Sequence, residues 1–548
     1  MAIRHGIYIS EVATQIQAPV QIDSGICVAI GTAKIAQDKP VICYTYKEFV
    51  ENFGYVGDFD NYTLEEVAAT FFKLYNVAPV ICINALNGTK HFKEIEKEIE
   101  GQKTFKLEGE VILDTVAVTT GVNQGEIDLA DDITTAEVTT GEGDEAITEK
   151  SVTISNASGK ILLGGTVKIS YRKTESALGG DPVVVEIAYA NLNNGKYVLP
   201  EDAILESVQV TTNGINNLRS LDFDIQSGDS FAQVTILDET QIIDDKVKVT
   251  YHELDPSAVT AQDIIDNIEK VGGIYARFNI VPGTLIAPKF SLQNSVAAAL
   301  TNKAKSIDGV FKGVAIADLD SARNTTYQAA IEFKNQSNLS DPHLIVCYPK
   351  VALDGVQYYL STHLAALMNQ VDSQNDGLPY VSPSNQRLQI DSAVTADGTE
   401  MILLQEQANL LNANGVGTVF SWGSWKYWGN YTSVGPGEDY KDEFIATRRM
   451  LNFLTAYLTI TYFTNLDNPI NRRNIEGILQ SANIYLSSLA ARGALLGARL
   501  EFPEDENTTA NLMSGALHFR LYWLSPPPAQ EIVFEMEVDT SYFETLFI

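Results

Sequence analysis

Between about Thr104 and Leu254 the chain runs in short stretches rich in Val, Ile, Thr, Gly and Asp, among them Ser151–Ile154, Thr166–Tyr171, Val208–Thr212 and Lys246–Tyr251. An apolar-polar period of two is the pattern of strands with one covered face. On either side of this block the pattern is mixed. Before it, apolar runs at Ile26–Ile30 and Val80–Leu86 read as buried strands around a helical stretch near Leu64–Leu74. After it, helical patterns near Ala261–Val271 and Ser295–Ile307 are followed by apolar runs at Gly313–Ile316 and His343–Tyr348. A layered core must then draw on two parts of the chain separated by a β region. The predicted fold class is α/β (α+β): a core built from the N- and C-terminal parts, an inserted all-β, β-sandwich-like region, and extended terminal strands. The predicted boundaries are 1–22 for an N-terminal arm, 23–92 for the first part of the core and 93–255 for the β insert. A second α/β part follows at 256–420, a C-terminal core domain at 421–524 and a C-terminal strand arm at 525–548.

A length of 548 residues suits about three or four domains. With 45% hydrophobic and 20% charged residues, the composition is that of a globular chain with real cores. The insert also echoes itself. Asn123, Gly125, Leu129, Asp132 and Val138 recur seventy residues later as Asn193, Gly195, Leu199, Asp202 and Val208, and Val167 and Tyr171 recur eighty residues on as Val247 and Tyr251. Two tandem β modules would fit that repeat. Its acidic loops, such as Glu142 to Glu149, favour a solvated surface.

Charge and chemistry exclude several classes. A formal charge of −32 repels a phosphate backbone and argues against nucleic-acid binding. Apolar stretches such as Val77 to Ile83 fall short of the ~18 residues that span a bilayer, and the N-terminus lacks signal-peptide regions, so a cytoplasmic origin without membrane insertion is expected. Cys27, Cys43, Cys82 and Cys347 lack the close pairing of a zinc site and read as buried small apolar residues. The histidines, His5, His91, His252, His343, His363 and His518, are scattered, and no phosphate-binding glycine pattern is present. No catalytic, metal or cofactor residue is nominated, and no enzyme is expected.

Two long helices are predicted late in the chain, Asp442 to about Asn465 and Asn474 to about Ala491, the second with Ile475, Ile478, Leu479, Ala482, Leu486 and Leu489 on one stripe. The termini are the most informative segments. Ile532, Phe534, Met536 and Val538 alternate with Val533, Glu535, Glu537 and Asp539, the pattern of a strand. It follows Pro526-Pro527-Pro528, read as a stiff spacer holding the strand off the body. At the other end Gly6, Ile7, Tyr8, Ile9 and Val12 read as extended. Each arm can pair within its own subunit or add to a neighbour's sheet edge.

Further motifs carry a resemblance. The opening His5 to Val12, Gly31-Thr32-Ala33, Phe53-Gly54, Trp428-Gly429-Asn430-Tyr431-Thr432, Arg448-Arg449, Leu489 to Gly497 and Pro526 to Ile532 occur in an order similar to that of contractile tail sheath proteins. That family serves myophage tails, R-type bacteriocins and related contractile injection systems. The likeness covers about residues 1–90 and 256–548, and Tyr431 replaces the family's usual arginine. The resemblance implies a structural homo-oligomer of stacked six-membered rings around an inner tail tube protein, with baseplate and tail terminator proteins as further partners. Contraction would drive the tube through a target envelope. Assembly would take place in the bacterial cytoplasm, and the arms at Gly6–Val12 and Ile532–Val538 would join subunits, with linkers near Ala13–Ile22 and Leu524–Gln530. By the same resemblance Arg472, Arg473, Arg492 and Arg499 are candidate tube-facing charges. The alternatives are a static surface or adhesin-like protein with β modules, and a cytoplasmic α/β enzyme.

Overall fold

A computed structural model describes residues 25–547, apart from the connections between strands within 101–245. The chain divides into two compact units, Met1–Asn87 with Val259–Ile548, and Gly88–Ala258.

The first unit is built on an eight-stranded sheet. Its strands are β1 (Ile26–Gly31), β2 (Val41–Cys43), β3 (Val80–Asn84), β4 (Pro282–Ile286), β5 (Val314–Asp318), β6 (Leu344–Cys347), β7 (Val416–Ser421) and β8 (Trp425–Trp428), in the order β2-β3-β1-β4-β5-β6-β7-β8. The six central strands are parallel, and β2 and β8 close the edges antiparallel. β1, β3, β5 and β6 are buried along their whole length and read as apolar runs, broken only by the last residues of β3 and β5, Asn84 and Asp318. The crossovers carry the helices Asn294–Lys305 and Tyr327–Gln336, α1 (Leu360–Gln374) and α2 (Gln405–Ala413). α1 lies in the middle of the core, with His363, Ser361 and Asp372 buried among its apolar residues. All four cysteines are buried free thiols, and burial raises that of Cys27.

Two further helices, α3 (Ile445–Tyr462) and α4 (Arg472–Ala491), form a second core of Met450, Phe453, Leu454, Ala482, Leu486 and Leu489. The side chain of Asn471 accepts the Asn474 amide at 2.9 Å to start α4, and Gly493, at φ +80, lets the chain reverse after it. The predicted stripe is present, with Ala482, Leu486 and Leu489 fully buried. Beyond Gly493 the chain forms a two-stranded antiparallel hairpin, β9 (Gly497–Glu501) with β10 (Arg520–Leu524).

Among its described residues, the second unit holds thirteen strands and one short 3-10 turn. Phe92–Glu100 pairs with Lys246–Leu254 from end to end, so the unit's first and last strands lie side by side. One wiring occurs twice. In the first half, 147–154 lies between 103–107 and 133–140, and 166–173 lies between 111–120 and 183–188. In the second half, 232–236 lies between 196–199 and 223–227, and 246–254 lies between 203–214 and 92–100. The register breaks at Ile112/Ala117 in one half and Ile204/Gln209 in the other. Val167 and Tyr171 thus sit in the strand equivalent to that of Val247 and Tyr251. The seventy-residue match is different: it sets Val138, in the strand 133–140, against Val208, in 203–214, and these strands hold different places in the wiring. Asn123, Gly125, Leu129, Asp132, Asn193, Gly195 and Asp202 lie outside the described residues.

Candidate assembly site

Taken in chain order, the parallel strands run 2-1-3-4-5-6, which places a topological switch between β1 and β4, where open α/β sheets bind ligands. At the carboxyl end of β1 the chain packs on itself. Thr32 and Thr63 exchange backbone-to-hydroxyl hydrogen bonds at 3.2 and 3.1 Å, and the Asn84 amide group bonds Ala33 from both sides. Gly31 lies so close to Thr63 that a Cβ there would meet its hydroxyl at 2.2 Å. Nearby, Asp318 accepts from Ser361 and Glu66 accepts the Tyr359 amide at 2.8 Å. Burial lifts the two carboxyls to about 6 and about 8. These groups face each other inside the core rather than a cleft. Among the described residues, no group of three or more His, Cys, Asp or Glu is placed to hold a metal ion, and no helix is long and apolar enough to cross a membrane.

The conspicuous geometry lies at the C-terminal end. In the hairpin, Ala498, Leu500, Leu521 and Trp523 pack on the core beneath, while Arg499, Glu501, Arg520 and Tyr522 face outward. An isolated two-strand ribbon is marginal by itself, and α4 supplies its support. The Asn483 carboxamide donates to the Leu500 carbonyl at 3.0 Å and accepts the Leu500 amide at 2.8 Å. Because one residue's N–H and C=O point to the same side of an antiparallel strand, Asn483 occupies the outer edge of β9. The outer edge of β10 has no strand partner among the described residues.

The chain beyond β10 departs from the sequence expectation. Residues 525–539 hold no helix or strand, so Ile532–Val538 is not a strand within its own chain. Ile532, Phe534, Met536 and Val538 are 71, 83, 95 and 88% exposed. Nor does the proline run stand off the body. Ser525 is fully buried and its carbonyl accepts the Tyr440 hydroxyl at 2.6 Å, while the Tyr431 hydroxyl donates to Gln530 Oε1 at 2.7 Å. Leu524 ends β10, so the predicted linker Leu524–Gln530 is tied at both ends. The other arm, Gly6, Ile7, Tyr8, Ile9 and Val12, lies outside the described residues.

The four candidate arginines do not form one patch. Arg472, exposed and bonded to Glu476 at 2.6 Å, and Arg473 open α4, whereas Arg492 follows its last turn. Twenty residues of helix put about 30 Å between those ends. Arg499 is on β9, bonded to Glu501 and lying 4.2 Å over the Tyr522 ring.

The other motifs are joints of the fold. Arg449 forms a buried two-bond pair with Asp372 of α1, and Arg448 pairs with Asp442. Trp428 donates to Asn409 of α2 at 2.8 Å, Asn430 accepts from Ser382 at 2.6 Å, and Thr432 donates to the Asp442 carbonyl at 2.7 Å. Tyr431, where the family's motif has arginine, stacks on Phe444 with ring centroids 5.3 Å apart.

Among the described residues, the features that stand out are a parallel sheet packed by its own chain at the end of β1, a hairpin with an open edge and an exposed apolar tail. The chain belongs to the contractile tail sheath family. It is 30% identical to the tail sheath protein of Burkholderia phage BcepMu over 324 residues, 55% of this chain. It is 25% identical to a putative prophage major tail sheath protein of Pseudomonas aeruginosa strain UCBPP-PA14 over 48% of this chain. Each match spans 66% of the relative's own length. The contracted helical sheath of the anti-feeding prophage has a similar fold, with a TM-score of 0.50 and 11% identity over 97% of this chain and 99% of that one. No protein-family model matches the sequence.

Proposed function

We propose that the chain is the structural subunit of a contractile sheath, polymerising as stacked six-membered rings around an inner tube and contracting to drive that tube through a target envelope. The observation that carries this reading is the pairing of opposites in one chain. It presents an uncovered edge on β10 and, eight residues beyond the end of β10, a tail whose apolar side chains have nothing to cover them among the described residues. A tail that fills a neighbour's edge satisfies both, and a heterologous contact of that kind continues as a helix unless it closes into a ring.

In this reading Ile532–Val538 becomes a strand on the β10 edge of the next subunit, and Gly6–Val12 adds a second joint. The β unit, predicted at 93–255 as two sandwich-like modules, lies away from the tube. Of the four arginines, Arg472 and Arg473 at the start of α4 suit the tube contact best, because Arg499 belongs to the hairpin face. The tube, baseplate and terminator proteins are the partners, and assembly takes place in the bacterial cytoplasm.

Negative-stain microscopy of the full chain beside a chain ending at Gln530, each alone and co-expressed with a tube protein, tests the proposal. Hollow cylinders from the full chain alone are expected. Cylinders from both chains would refute the role of the tail, and monomers under every condition would refute the sheath reading.

A further inference from the structure

Resting on the sheath reading, a second feature concerns how the tail leaves the body. Directly after Ser525, the residues Pro526 to Gln530 form part of the lining of a cleft of about 820 Å³, together with Tyr380, Asn409, Trp428 and Asn430. Proline has no amide to donate, so Pro526-Pro527-Pro528 is held by what grips its ends. The two grips differ. At the near end Ser525 is fully buried, directly after a strand whose last carbonyl, Leu524 O, accepts the Leu496 amide at 2.8 Å. At the far end the grip is one exposed side-chain hydrogen bond, from Tyr431 to Gln530. The rings of both tyrosines rest on Phe444, Tyr431 stacked at 5.3 Å and Tyr440 edge-on at 5.9 Å, so catch and anchor share one fixed base.

We propose that residues 525–530 are a latched strap, with Tyr431 the catch and Gln530 the tongue. Closed, the latch makes Gln530 the point from which the tail departs. Open, it moves the pivot back to Ser525, and the five residues after it, at ~3.1 Å each in a polyproline conformation, let the start of the tail swing through a radius of about 15 Å. A joint between neighbours that change their separation needs such a change of pivot, and Tyr431 is its positioning residue.

The test uses the full chain with Ala529→Cys carrying a nitroxide label, since the four native cysteines are buried. Tyr431→Phe keeps the stack on Phe444 and removes the donor. It should raise the ratio of mobile to immobile label about fivefold, the effect of losing one ordinary hydrogen bond on an opening equilibrium. Gln530→Ala should do the same, and the double variant should add nothing to either single change. Spectra unchanged by Tyr431→Phe, or additive effects, would overturn the latch. In polymers formed with a tube protein, a label immobile in one state and mobile in the other supports the release step, and one immobile in both overturns it. A chain that shows the label response but never polymerises overturns the sheath reading alone, so the two failures are distinct.

Discussion

Phe534→Asp separates assembly from folding. Phe534 is 83% exposed on a tail with no sheet partner in its own chain, so the substitution should leave the subunit's stability within about 0.5 kcal/mol of the parent, as for surface changes generally. In the proposed joint the same side chain is covered by a neighbour. Full burial of a phenylalanine contributes about 2–3 kcal/mol, and a carboxylate placed there adds its own desolvation cost. At 1.4 kcal/mol per tenfold, the concentration at which polymers appear should rise at least roughly 30- to 150-fold. Sedimentation across a dilution series gives that concentration, and thermal unfolding of dilute protein gives the control. Unchanged polymerisation would refute the strand-donation argument. A clear fall in Tm would refute it differently, by showing that the tail packs on its own subunit.

Arg449→Met leaves the Asp372 carboxylate buried without its partner, so it should cost about 3–5 kcal/mol in urea unfolding, with part of the loss recovered when Asp372→Asn is added. Asn483→Ala removes both bonds to Leu500 and should cost about 1–3 kcal/mol; it also frees the outer edge of β9, and microscopy should show branched or irregular aggregates in place of regular cylinders. Burial raises the Glu66 carboxyl from 4.5 to about 8. A raised carboxyl binds its proton more tightly in the folded state, so its contribution is complete below pH 4.5 and is lost as pH rises through about 8. Between pH 4.5 and 7 that loss is about 3 kcal/mol at 1.36 kcal/mol per unit, and Glu66→Gln should flatten this part of the profile.

The main sheet was legible because a strand covered on both faces is apolar at nearly every position, polar residues such as Asn84 and Asp318 coming only at strand ends. Ile26–Gly31, Val80–Asn84 and Leu344–Cys347 announce themselves for that reason. The stripe of α4 was legible for the analogous reason at a period of 3.6. The β9–β10 hairpin was not, since five-residue strands with one solvated face alternate too briefly, and Arg499 was read only as a candidate tube-facing charge. The alternation of Ala498 and Leu500 with Arg499 and Glu501 was the available signal. Asn483, Tyr440 and Gln530 offered none, because each acts on a residue between 17 and 99 positions away that only the fold brings near. The proline run misled for a physical reason: the stiffness expected of it does not say whether a segment stands free or lies tied to the body, as the bonds at Ser525 and Gln530 tie this one.

The strengths of these contacts form a gradient along the chain. The body is held by contacts whose rupture is costly, the Arg449–Asp372 pair above all, at about 3–5 kcal/mol when one partner is lost. The hairpin is held by burial of Leu500, Leu521 and Trp523 and by the two bonds from Asn483. The strap's distal end is held by a single exposed bond of about 1 kcal/mol. If a neighbour that has captured Ile532–Val538 pulls away, the load reaches these contacts in the reverse order. The Tyr431–Gln530 bond therefore breaks first, and the tail's pivot shifts while the hairpin and the body keep their shape. In the proposed contracting sheath, two requirements, subunits that keep their shape as they move and joints that stay connected while they do, are met together by placing the weakest contact between the tail and everything else.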